Sequence, residues 1–177
     1  MKIQIVRPDE SELDELRTHL DYTISETFKI EGVYESHYDE YIEEVEYQLK
    51  QIKKDLASNG SDEYFLIAKS DGKIVGTIGY GAPNSVIKKY HTDELGEIKA
   101  VYVNPLYQGK RIGSTLFESM ILYLKSRHIT HFVLDCGYSK SQSFWIKILG
   151  EPYLFMKDFY AEDSHHMIWE SSVDNLL

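Results

Sequence analysis

A chain of 177 residues, 42% hydrophobic and 27% charged, has the composition of one ordinary globular domain with a sizeable core, spanning residues 1–177. Its formal net charge of −10 argues against nucleic-acid binding by a broad basic face; it keeps the chain soluble and would steer a cationic substrate towards it. The single cysteine, Cys136, excludes an internal disulfide, no run of about eighteen apolar residues offers a membrane span, and the start MKIQIVRPDESELDEL lacks the apolar stretch of a secretory signal, so a cytoplasmic protein without membrane association is expected.

Residues Lys2–Val6 alternate apolar and polar, as a half-buried strand does, until Pro8 breaks the run. Asp9 with Glu12 three places on resembles a capping box. Leu13, Leu16, Leu20, Ile24 and Phe28 then follow at helical spacing. Ile42, Val45, Leu49, Ile52 and Leu56 mark a second helix, stopped near Asn59-Gly60. The aromatic and acidic stretch between them, Lys29–Tyr41, has no clear period. Glu63–Lys69 and Lys73–Tyr80 read as strands joined at Asp71-Gly72, a strong hairpin signal. Gly81–Thr92 reads as a loop and Leu95–Val103 as a strand ending at Asn104-Pro105. Leu106–Arg111 is a loop, and Ile112, Leu116, Met120 and Leu124 share one face of a helix. A short strand at His131–Asp135, a helix at Ser141–Leu149 and strands at Tyr153–Lys157 and His166–Glu170 complete the chain. The order β-α-α-β-β-β-α-β-α-β-β predicts an α+β layered fold: a mixed, mostly antiparallel central sheet with helices on both faces.

The most informative stretch is Val101–Leu116, V-Y-V-N-P-L-Y-Q-G-K-R-I-G-S-T-L. A strand ends near a proline, a loop with Gly109 follows, and Gly113 opens an amphipathic helix. Free backbone N–H groups at a helix start, backed by the helix dipole, make an anion site that fits a pyrophosphate. A glycine there permits close approach, and Lys110 and Arg111 add positive charge. The P-loop is excluded, because Ser114 follows Gly113 with no lysine between, and G-x-G-x-x-G is absent.

This run resembles the acetyl-CoA motif of the GNAT superfamily of N-acetyltransferases, [QR]-x-x-G-x-[GA] after a strand. Gln108 holds its first position and Gly113 its last, while Arg111 stands where the middle glycine is usual. The element order is similar to that family over about residues 2–171. The resemblance implies acetyl-CoA as co-substrate, without a metal. Its pantetheine arm would lie along Val101, Tyr102 and Val103, mainly against main chain, and its pyrophosphate over Gln108, Gly109, Lys110, Arg111, Ile112, Gly113 and Ser114. Core packing of Val101 and Val103 is compatible with that role.

Amine acetylation needs a group to take the ammonium proton, a donor to polarise the thioester carbonyl and an acid for the leaving thiolate. Glu97, on the strand that leads to the cradle, occupies the position at which family members with a glutamate base carry it. It can act as base or water relay, hold the substrate cation, or be an exposed strand-end charge. The family often places an acidic tyrosine in N-x-x-A-x-x-[FL]-Y; the matching run here is Y-S-K-S-Q-S-F-W, residues 138–145. Trp145 thus stands where the tyrosine is usual, and it can orient the thiol, pack on the cofactor or belong to the core. Tyr138 is a substitute donor, and solvent is another. Cys136 has no activating base adjacent in sequence and reads as a buried thiol. His165-His166 alternate faces of a strand, and the seven histidines form no zinc pattern.

Tyr34 and Tyr38, with Asp39, Tyr41, Glu43 and Glu44, either line a cation pocket or form one packed helix face with a solvated acidic side. The resemblance places the acceptor, a small-molecule or peptide amine, beside these early helices, and allows a homodimer. Polyamine, aminoglycoside, amino acid and protein N-terminus all fit. An acyl-CoA-binding regulatory or partner-binding module that has lost catalysis, and an unrelated phosphate-ligand binder, are the competing readings.

Overall fold

A capping box starts the first helix as expected: Asp9 accepts the Ser11 N–H at 2.9 Å, and Glu12 accepts the Asp9 N–H at 2.9 Å. The computed structural model describes residues 2–91 and 93–176. After β1 (Ile3–Val6) come α1 (Leu13–Ile30) and α2 (Tyr38–Ser58), so the stretch without a clear period holds the end of one helix, a turn and the start of the next. Asn59 in the left-handed conformation and Gly60 stop α2. β2 (Tyr64–Ser70) and β3 (Lys73–Gly81) follow, joined through Asp71 and Gly72 at φ 50° and 81°. Two positive φ angles in a two-residue loop suit the twist of the strands, and glycine takes the second without strain.

The expected loop at 81–92 contains a short helix, α3 (Ser85–Tyr90); Thr92, its expected end, lies outside the described residues. Six residues give too little periodicity to read, and the helix depends on one cap: Asn84 Oδ1 accepts the Ile87 N–H at 2.9 Å. Then come β4 (Glu97–Val103), α4 (Ile112–Ser126), β5 (His131–Cys136), α5 (Ser139–Leu149), β6 (Leu154–Ala161) and β7 (Ser164–Ser172).

The seven strands form one sheet in the order β1-β2-β3-β4-β5-β7-β6. All neighbours are antiparallel except β4 and β5. One core, with Leu16, Leu20, Ile24, Val45, Leu49 and Ile52, packs α1 and α2 against one face. The other packs Ile112, Leu116, Met120 and Leu124 of α4 against Phe132 and Leu134. Each such side chain, fully buried, contributes roughly 1.5–3 kcal/mol. No helix among the described residues is long and apolar enough to cross a membrane.

Candidate active site

The site begins where the sheet fails to stay closed. β4 and β5 pair only at Glu97↔Val133, with the Val133 N–H donating to Gly96 C=O at 3.0 Å. Beyond that pair the register stops, and both strands run on unpaired with each other. On its other edge β4 carries a bulge: Ala100 sits at φ 54°, and Thr77 Oγ1 donates to its carbonyl at 2.8 Å. Past the bulge, the Asn104 N–H donates to Val75 C=O at 2.9 Å. Antiparallel ladders alternate, so the main chain of Tyr102 also faces β3, while Val101 and Val103 turn theirs into the opening. Main-chain contact with a ligand there falls to Val101 and Val103. The Tyr102 side chain turns instead towards α2, where its hydroxyl donates to Glu44 at 2.6 Å.

At the wide end of this opening lies the cradle. Pro105–Tyr107 form one 3-10 turn, and Gln108 Nε2 donates back to Val103 C=O at 3.1 Å. Arg111, at φ 63°, is the residue before α4. The helix's first bond runs from Thr115 N–H to Arg111 C=O at 2.9 Å, leaving Ile112, Gly113 and Ser114 as the orphan donors of its first turn. A Cβ on Gly113 would meet Phe144 at 3.5 Å, an ordinary contact. The Arg111 side chain is mostly exposed and lies 3.8 Å from Glu118, an interaction of little worth. Lys110 Nζ bonds Leu106 C=O at 3.1 Å.

The left-handed φ explains why glycine is usual at position 111, and arginine there costs about 1 kcal/mol. Arg111→Gly is therefore expected to raise the melting temperature by about 1–4 °C. It should also weaken CoA binding severalfold through the lost charge. A calorimetric melt and a CoA titration check both, and an unchanged or lower melting temperature would refute the strain argument.

Glu97 is not an exposed strand-end charge. It is 4% exposed, on the α2 face of the sheet. Its carboxylate accepts the Asn84 N–H at 2.8 Å and Asn84 Nδ2 at 3.1 Å. Burial, then the charge of Asp135, pushes its carboxyl up to about 8, against the lowering effect of Lys99 and Asn84. Asn84 Nδ2 also donates to Asp135 Oδ2 at 2.9 Å. Because Asn84 Oδ1 caps α3, its amide is fixed with both donors towards the carboxylates. Asp135 Oδ2 lies 3.0 Å from His166 Nε2, and His166 Nδ1 lies 2.8 Å from the Tyr160 hydroxyl. Lys99, two residues along β4, pairs with buried Glu63 at 3.2 Å and bonds Ala82 C=O at 2.6 Å.

Tyr138 lies between the two cores, with Phe28 at 6.2 Å, and burial pushes its phenol well above the ordinary range. Trp145 is 4% exposed and packs edge-on to Phe117 and Phe144, a place in the core. Tyr34 and Tyr38 join Tyr41 in an aromatic trio with centroids 5.5–5.7 Å apart, and the Tyr41 hydroxyl bonds Asp21. Tyr38 is half exposed. Tyr47, nearly two turns beyond Tyr41 along α2, is held up to about 12 by burial and the charges of Glu97, Glu63, Glu44 and Asp135. Cys136 is buried and pushed up to about 12, an inert thiol.

The sequence reading missed Asn84, Asp135, Tyr160 and the role of His166. Asn84 sat in an assumed loop, Asp135 ended a strand like any surface acid, and Tyr160 lay beyond the expected end of its strand. Only the alternation of His165 and His166 pointed to His166, which turns to Asp135 while His165 Nδ1 accepts the Asp158 N–H.

A cavity of about 770 Å³ contains none of the cradle residues; it is lined by residues such as Glu63, Tyr64, Tyr80, His91, Tyr123 and Arg127. Two groupings, His91–Asp93–Glu170 and Asp158–Asp163–His165, bring metal-ligating atoms within 4.8 Å of one another, and neither includes a cradle residue.

The family model described as "Acetyltransferase (GNAT) family" matches residues 30–150. No curated protein sequence matches the chain. Among solved structures, PaiA N-acetyltransferase from Thermoplasma acidophilum in complex with coenzyme A is 22% identical, with 97% of this chain and 100% of that one covered and a TM-score of 0.69. YncA from Salmonella typhimurium, solved with its cofactor acetyl-CoA, is 12% identical over 98% of this chain and 95% of that one, at a TM-score of 0.67. An N-acetyltransferase from Staphylococcus aureus Mu50 is 15% identical over 98% and 99%, at 0.66. At these identities the likeness is one of fold.

Proposed function

Because the chain belongs to the GNAT family of acetyltransferases, we propose that it transfers the acetyl group of acetyl-CoA to a primary amine by direct attack. The observation that carries this reading is the opening of β4 from β5 immediately beyond Glu97, with the cradle at its far end. The main-chain groups of Val101 and Val103 would hold the pantetheine arm, and the orphan donors of 112–114, with Lys110 and Arg111, the pyrophosphate. Two neighbours were solved with coenzyme A or acetyl-CoA, which supports this ligand.

The acceptor side is anionic. Glu97, Asp135 and Glu44 all act on Tyr47, so a protonated amine entering past α1 and α2 meets carboxylates and aromatic rings. Glu97 takes the ammonium proton, directly or through water. Near 8 it is close to the strength at which a base is both ionised and effective around neutral pH. A main-chain N–H at Val101–Val103 polarises the thioester carbonyl as negative charge grows on oxygen. The acceptor is a small-molecule or peptide amine, most readily a cationic one.

The test is thiol release: acetyl-CoA with a panel of primary amines should give free thiol in step with acetylated amine. The burial of Trp145 at the usual tyrosine position favours a second reading, a catalytically weak acyl-CoA-binding module. Tight acetyl-CoA binding without thiol release across the panel would support that module and remove the enzyme.

A further inference from the structure

The buried polar chain that runs from Glu97 divides at Asn84. An amide transmits no proton between carboxylates, so Asn84 clamps Glu97 and Asp135 together without connecting their chemistry. What lies beyond it is a separate unit: Asp135, His166 and Tyr160, linked at 3.0 and 2.8 Å. His166 is buried, the Asp135 side chain is 13% exposed and Tyr160 is 58% exposed. Its ring rests on Gly137, the residue after β5, where a Cβ would come within 2.8 Å of the ring. Only glycine lets the phenol settle against the end of that strand. The charge of Glu44 on α2 acts on the Tyr160 phenol, and Glu44 also accepts the Tyr102 hydroxyl from β4. Tyr160 thus lies against the end of β5, the strand that parts from β4.

We propose that Tyr160, backed by His166 and Asp135, is the proton donor to the departing thiolate. This rests on the acetyltransferase reading above and supplies the group that Trp145, in the core, cannot. The Tyr160–His166 contact can be made in two ways. With a neutral imidazole the phenol donates to Nδ1 and its proton is engaged. With an imidazolium, Nδ1–H donates to the phenol oxygen, Nε2–H donates to Asp135, and the phenol proton is free to face the sulfur. The second arrangement is the active one.

As the C–N bond forms and the C–S bond breaks, the electron pair leaves on sulfur. Sulfur takes the phenol proton, the phenol oxygen takes the Nδ1 proton, and neutral His166 is recharged from solvent through exposed Tyr160. Of the two protons that the ammonium nitrogen gives up, one replaces that spent proton and the other is released to solvent. The charged or titratable groups around the phenol are His166 from β7, Asp135 and Cys136 from β5, Tyr138 just before α5, and Glu44 from α2. Burial and Asp135 hold the phenol up to about 12, so it carries its proton across the working range.

The experiment compares wild type, Tyr160→Phe, His166→Gln and the double variant. Tyr160→Phe keeps the ring on Gly137, and Tyr160 is exposed enough that the fold should tolerate it. The expected result is a kcat at least ten-fold lower for Tyr160→Phe, with the acetyl-CoA Kd within two-fold of wild type. The double variant should lose no more than the worse single one, because the two residues act as a unit. The pH profile of kcat should differ between wild type and Tyr160→Phe, because only the wild type carries the phenol. A Tyr160→Phe variant with wild-type kcat and pH profile would overturn this assignment alone. So would a kcat loss matched by an equal loss of acetyl-CoA affinity, which marks a packing role. A wild type that binds acetyl-CoA but releases no thiol would overturn the proposed enzyme and this donor with it.

Discussion

Glu97→Gln is expected to lower kcat by about 10²–10⁴-fold at neutral pH, the usual worth of a positioned acid–base group, with little change in acetyl-CoA affinity. The same substitution should make the ligand-free protein more stable at alkaline pH. Glu97 has its folded-state pKa raised from 4.5 to about 8 by burial and by Asp135. A raised carboxyl stabilises the fold fully only below its unfolded value, and that contribution is lost as pH rises through the folded value. Between those values the folded chain must hold a proton that the unfolded chain has released. Glutamine titrates in neither state. The variant should therefore melt like wild type near pH 4, and higher by several degrees at pH 8, where the wild-type penalty is nearly complete. Melting curves at the two pH values, with steady-state kinetics, check both halves. A base of ordinary strength would lose activity without gaining stability, and a merely structural carboxylate would leave kcat alone.

Asn84→Ala is the second large expected effect. The Asn84 side chain donates to Glu97 and Asp135 and caps α3 in the same conformation. Its bond to Glu97 lowers that carboxyl against the effect of burial. A hydrogen bond to a charged group is worth about 1.5–3 kcal/mol, or one to two pKa units. Without it Glu97 should ionise about one to two units higher, since only Lys99 and the Asn84 main-chain N–H remain to lower it. Turnover at pH 7 should fall about 10- to 100-fold and recover as pH rises. The lost cap should cost about 1 kcal/mol of stability. The pH dependence of kcat/KM reads the free enzyme, so its rising limb should move to the alkaline side by that amount. A uniform loss at every pH would assign Asn84 to packing instead.

These two residues also show what the sequence could and could not disclose. The place of Glu97 at the start of the strand that leads to α4 was legible, because it can be counted along the chain. The loop and helix start at 108–114 were legible for the same reason, since they are a local arrangement of loop, glycine and helix start. The hairpin at Asp71-Gly72, the capping box at Asp9 and the apolar faces of α1, α2 and α4 are local too, and all appear in the structure. Asn84 is the opposite case. Its function comes from meeting carboxylates 13 and 51 residues away, which no local pattern encodes. The Asp135–His166–Tyr160 unit depends on the pairing of β5 with β7 and β6 with β7, and hence on register. The opening between β4 and β5 is likewise a property of missing pairs, and the Ala100 bulge beside it leaves no mark in residue type. Trp145 was misleading in a useful way. Its position matches the family's tyrosine, but only the packing against Phe117 and Phe144 places it in the core.

The central claim is that the opening of β4 and the first turn of α4 hold acetyl-CoA. A calorimetric titration with acetyl-CoA, run beside free CoA and ATP, tests it most directly. Saturable binding of acetyl-CoA and CoA, with ATP much weaker, is the predicted result. Well-folded protein that binds no acetyl-CoA, or that prefers ATP, would contradict the account at its root.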